Sequence, residues 1–162
     1  MKKIFLVLAL ALFSFSANAQ SGAFNVGGHI ALPTGDAATG TSFGFGLDVN
    51  YMFNSGEEFS YGLASGFQYF LGKTVAGTKV DNGAFLPIAA AGRYNVSDKF
   101  FAGADIGYAI GISPSTNNGG FYYRPMVGYT LGENMQLNAF YSGISLTGGT
   151  FSSVGVGIMF GL

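Results

Sequence analysis

The segment "SFGFGLDVNYMF", residues 42 to 53, changes character at every residue. Phe43, Phe45, Leu47, Val49, Tyr51 and Phe53 fall on one face, and Ser42, Gly44, Gly46, Asp48, Asn50 and Met52 on the other. A period of two is the signature of a strand with two unlike faces, and no helix can satisfy it. The same contrast recurs eight times, predicting strands at about 23–33, 42–53, 59–72, 84–96, 100–113, 121–132, 135–146 and 150–162. Such segments are long beside the roughly 5–6 residues of a typical soluble strand, but they match the ~9–11 tilted residues that cross a bilayer.

The connections alternate too. Those after the second, fourth and sixth strands are short and polar ("NSGEE", "SDK", "EN"), whereas those after the first, third and fifth are longer ("TGDAATGT", "KTVAGTKVDNG", "PSTNNGG"); the last, "TGG", is short. Outer-membrane barrels have this asymmetry, with short turns on the periplasmic side. Pro33, Pro87, Pro114 and Pro125 all fall towards the long-loop end of their strands. Proline cannot donate to a ladder and is tolerated at strand ends and bulges.

The chain opens "MKKIFLVLALALFSFSANAQ", with two lysines, an apolar run and a small-residue "ANA", the layout of a secretory signal cleaved after Ala19. The mature domain is then residues 20–162. Losing Lys2 and Lys3 leaves five basic against eight acidic side chains, a net charge of −3. That gives no basic field for nucleic acid. There is no cysteine, so cross-links do not hold the exported fold together. Twenty-seven glycines, 16% aromatic and only 9% charged residues exclude both a disordered chain and an ordinary water-facing surface.

Alternation alone permits a soluble lipocalin-like barrel with an apolar lumen or a membrane barrel with an apolar exterior. Volume separates them, because an eight-stranded barrel has room inside only for side chains or one small ligand. The apolar faces, mostly Phe, Tyr, Leu, Ile and Val, would overfill it, whereas the opposite faces are rich in Gly, Ala, Ser and Asn. Small inside and large outside predicts an all-β, eight-stranded antiparallel up-and-down transmembrane barrel. Tyr51, Phe53, Phe59, Tyr61, Tyr94, Phe100 and Tyr129 gather near the short turns, as interfacial aromatic girdles do. With its ending "SVGVGIMFGL", the chain resembles the small outer-membrane barrels of the OmpA/OmpX-like family, without a peptidoglycan-binding domain. Leu162 departs from that family's usual aromatic last residue. The resemblance implies a monomer in the bacterial outer membrane with both termini periplasmic. Its implied partners are membrane lipid, lipopolysaccharide and, during insertion, the assembly machinery.

With the apolar face outward, the inward set includes His29, Asp48, Asn50, Gln68, Arg93, Asn95, Asp105, Arg124, Gln136 and Asn138. Arg93 and Asp105 are expected directly or diagonally opposite across the "SDK" turn, with Arg124 in reach of Asp105 and Asp48 at a depth like that of Arg93. A structural lumen network of Asp48, Arg93, Asp105, Arg124 and His29 is the expected role of these residues. His29, the only histidine, has no obvious acid partner, so no catalytic, metal or cofactor site is expected. "GFQYFLGKT" at 66–74 has five residues between its glycines, one too many for a phosphate loop, and "NVS" at 95–97 falls at a turn; both are chance matches. The expected role is structural or interactive at the cell surface. A narrow pore, a lipid A-modifying enzyme and a soluble ligand-binding barrel are the alternatives.

Overall fold

The computed structural model describes residues 22–53 and 58–162. The leader expected at residues 1–19 and most of the "NSGEE" turn lie outside the described residues. Eight long strands form the wall: β1 (Gly22–Thr34), β2 (Thr41–Phe53), β3 (Phe59–Gly72), β6 (Gly83–Asn95), β7 (Phe100–Ser113), β8 (Gly120–Leu131), β9 (Met135–Leu146) and β10 (Gly149–Gly161). Each bound lies within one residue of the sequence expectation. Two small elements were not anticipated: a helical turn at Ala37–Gly40, and a hairpin of β4 (Thr74–Val75) and β5 (Thr78–Lys79) in the longest loop.

Every wall strand pairs antiparallel with its chain neighbours, and β1 closes the barrel on β10 from Asn25↔Gly161 to Thr34↔Ser152. Closure leaves no wall strand with a free edge. The two internal prolines explain the gaps in the ladders. β3–β6 pairing passes from Ser65↔Ile88 to Gln68↔Phe85 around Pro87, and β8–β9 pairing from Tyr123↔Gly143 to Met126↔Phe140 around Pro125. Neither ring can donate, and Ser65 Oγ caps the Pro87 carbonyl at 2.8 Å.

The outer surface is apolar: Leu47, Leu63 and Val127 are 67%, 62% and 61% exposed. A belt this continuous is a membrane surface rather than a water-facing one, which removes the soluble barrel. Aromatic pairs border it near the short turns, as at Phe53–Tyr61 (5.5 Å) and Phe100–Tyr129 (4.8 Å). A second set lies higher on the wall at Phe121, Tyr123 and Tyr141. The rise from Tyr129 to Phe121 at ~3.4 Å per residue and ~40° of tilt is about 21 Å, close to the ~25 Å apolar band of such barrels.

The interior corrects one expectation. The lumen is not polar throughout, because Phe70, Phe85, Phe101, Tyr122, Phe140 and Ile144 point inward and are buried. They fit because the inner glycines make room for them. Phe70 lies across the ladder from Gly44, Phe85 from Gly111, Phe101 from Gly128, Tyr122 from Gly107 and Phe140 from Gly155. Gly44, Gly128 and Gly155 are sockets for rings, since a β-carbon added there would meet Phe70, Phe101 and Phe140.

Candidate functional site

The charged layer crosses the middle of the lumen. Asp48 on β2 is its centre: His29 Nδ1 on β1 donates to Asp48 Oδ2 at 2.7 Å. Arg124 Nη1 and Nη2, arriving from β8, donate to the same carboxylate at 2.8 and 3.3 Å. This two-pronged grip uses both carboxylate oxygens and fixes the guanidinium plane. Phe140 from β9 supports it, with its ring centre 3.8 Å from Arg124 Cζ and its edge packed against His29. A second pair joins Arg93 Nη2 on β6 to Asp105 Oδ1 on β7 at 2.7 Å. Arg93 Nη1 is held by the Gly92 and Ala104 carbonyls at 2.8 and 3.2 Å.

Two expected contacts are revised. Arg124 does not turn to Asp105, although their Cα atoms are ladder partners; it crosses the lumen to Asp48, and Asp105 is taken by Arg93. The Arg93–Asp105 contact is diagonal, since Arg93 lies opposite Gly103 and Asp105 opposite Ala91. His29, expected to lack an acid partner, has Asp48 diagonally across the β1–β2 ladder, where Gly46 leaves room for its ring.

The layer is nearly dry. Side-chain exposure is 1% for His29, 4% for Asp105 and 6% for Arg124. Two carboxylates face two guanidiniums, so the charges of the two pairs balance. Desolvation offsets much of the attraction in such pairs, but removing one member strands the other. Beside the layer is a cavity of about 30 Å³ touching Asp48, Asp105, Tyr122 and Asn138.

The ends of the lumen differ. Towards the short turns a polar funnel of about 620 Å³ is lined by Asn25, Asn50, Ser60, Thr130 and Gln136, with Arg93 among its walls. Towards the long loops Phe70, Phe85 and Phe151 meet ring to ring at 4.7, 5.3 and 6.4 Å, a plug backed by Ile144 and Tyr122. The plug residues were absent from the sequence-derived site. Phe70, Phe85 and Tyr122 each lie opposite a glycine on a neighbouring strand, which was the available signal, whereas Phe151 and Ile144 lie opposite one another.

His29 and Asp48 have the geometry of an oriented imidazole, but no hydroxyl nucleophile hydrogen-bonds to His29 among the described residues. The arrangement fills and locks a barrel.

Comparison with known structures agrees with this geometry. A de novo designed transmembrane β-barrel aligns with a TM-score of 0.58 at 12% identity, covering 88% of this chain and 98% of that one. Ail, the attachment invasion locus protein of Yersinia pestis, gives 0.57 at 11% identity over 88% and 98%. The N-terminal β-barrel domain of Pseudomonas aeruginosa OprF gives 0.56 at 11% over 86% and 97%. At these identities the likeness establishes the fold alone. A comparison with curated protein sequences gives no match. The outer membrane protein beta-barrel domain model, by contrast, matches residues 5–161, and the chain belongs to that family.

Proposed function

We propose that this protein is a closed, non-conducting outer-membrane barrel whose role is structural or interactive at the cell surface. The observation that carries this reading is the filled lumen: an ion-pair layer and an aromatic plug in series, with about 30 Å³ of space beside the charges. A space that size has room for a water or two and no continuous path for an ion. In this reading both barrel termini are periplasmic, tied together where Leu162 N donates to Phe24 O at 2.9 Å. The long-loop end faces outward, the apolar belt meets lipid and lipopolysaccharide, and the barrel works as a monomer inserted by the assembly machinery.

Planar-bilayer recording tests it. The refolded mature chain is expected to give no unitary steps at high protein load, and regular, reproducible steps would establish the narrow pore instead. We also propose that the protein is not a lipid A-modifying enzyme, because its histidine is committed to Asp48 inside the wall. Unchanged lipid A mass spectra on expression are expected.

A further inference from the structure

The four connections at the long-loop end enclose a cup of about 400 Å³, a volume within the range of small-molecule pockets. Its floor is the top of the plug, Phe85 and Phe151 with Leu146 beside them, so the lumen below is shut. Its wall carries two carboxylates from different loops, Asp36 beside the helical turn and Asp81 after β5. Both are exposed, and neither side chain has a hydrogen-bond or ion-pair partner among the described residues. Among the described residues, no Lys, Arg or His lines the cup. Lys73, whose Nζ donates to the Ala38 carbonyl at 2.8 Å, and Lys79 on β5 both belong to the β3–β6 connection, but neither lines the cup.

The walls are tied to one another. Asn117 Nδ2 donates to the Ser113 carbonyl at 3.1 Å and Gly119 N donates to Asn117 Oδ1 at 3.0 Å, which fixes the β7–β8 connection. Ser113 Oγ bonds the Asn82 carbonyl at 3.1 Å, joining that connection to the β3–β6 loop. Thr41 Oγ1 holds the helical turn through the Ala37 carbonyl at 2.6 Å. A wall ordered in advance lowers the entropy cost of binding.

We propose that this cup binds a small organic cation with an apolar body, an ammonium group carried on an aryl or alkyl frame. The carboxylates would take the charge and the Phe151–Leu146 floor the apolar part, with the aromatic face adding attraction for the cation. Each feature excludes a rival class. Two carboxylates in a lining that holds no cationic side chain disfavour sulfated or phosphorylated ligands; Ail, by contrast, has been crystallised with the heparin analogue sucrose octasulfate. The apolar floor offers nothing to a bare metal ion. This site rests on the surface-interaction reading and names its ligand class.

The test is a titration of the ¹⁵N-labelled mature chain, refolded in nonionic detergent, with three probes of one shape: benzylammonium, benzyl alcohol and benzoate. Benzylammonium is expected to shift the amides of Asp36, Asp81, Thr116 and Phe151 saturably, benzyl alcohol more weakly and benzoate not at all. Asp36→Asn and Asp81→Asn should each weaken benzylammonium by roughly two- to fivefold, as for an exposed charge pair, while the heat-dependent gel shift of the folded barrel is unchanged. Shifts that do not saturate, that benzoate reproduces, or that both variants leave intact would overturn the proposal. A conducting barrel with a saturable cup would overturn only the closed-barrel reading, and a silent barrel without saturation only this one.

Discussion

Asp48 and Asp105 look alike in the sequence, each an acidic residue at an inward position within an apolar strand, yet their surroundings differ. Asp105 serves Arg93 alone, whereas Asp48 holds Arg124 with both oxygens and His29 besides. Replacing Asp48 by Ala strands a nearly dry guanidinium and is expected to lower stability by about 3–5 kcal/mol, read by urea unfolding of the barrel in lipid vesicles. Adding Arg124→Ala should recover part of that loss, and strictly additive losses would show that the two side chains do not interact. Arg93→Ala and Asp105→Ala should behave in the same way. The identity of all five residues was legible from parity, because a charge set among alternating apolar residues has to face inward. The partner of Arg124 was not. Strand register predicts ladder neighbours, and the Asp48 contact spans the lumen from β8 to β2, where barrel width and the prior claim of Arg93 on Asp105 decide the outcome.

At the scale of the strand, the pairing of most large inward side chains with a glycine across the ladder helps a narrow barrel hold aromatics. Gly128 shows the constraint sharply, since an added β-carbon would clash with the Phe101 ring. Gly128→Ala is expected to cost about 1–3 kcal/mol through displacement of that ring. A companion Phe101→Leu change should return much of it, and a Gly128→Ala barrel as stable as the parent would show that Phe101 moves aside freely. The strand bounds were readable to within a residue because period two, turn residues and proline positions all agree on them. Which aromatics turn inward was harder to see. In "GFYYRPMVGY" adjacent aromatics occupy both parities, and Tyr122 and Tyr123 each face a glycine across a ladder, Gly107 and Gly143; only the parity that Tyr122 shares with Arg124 marks it as the inward ring.

For the whole molecule, the closed-barrel proposal puts two barriers in series along one axis, so that a path would conduct only with both opened. The aromatic plug closes the long-loop end and the ion-pair layer closes the middle, while the polar funnel at the short-turn end leads as far as Arg93. Phe85→Ala with Phe151→Ala removes most of the plug but leaves Arg93 and Arg124 bound to their carboxylates. That pair of changes is expected to stay silent in planar bilayers. Arg93→Ala with Asp105→Ala loosens the layer beneath an intact plug and should be silent as well. All four changes together are expected to give unitary steps, provided the heat-dependent gel shift still reports a folded barrel. If removing the plug alone yields steps, the charged layer is no barrier and its role is confined to holding the strands in register. If the fourfold variant folds and remains silent, the seal lies elsewhere along the wall, and the packed lumen would no longer account for closure.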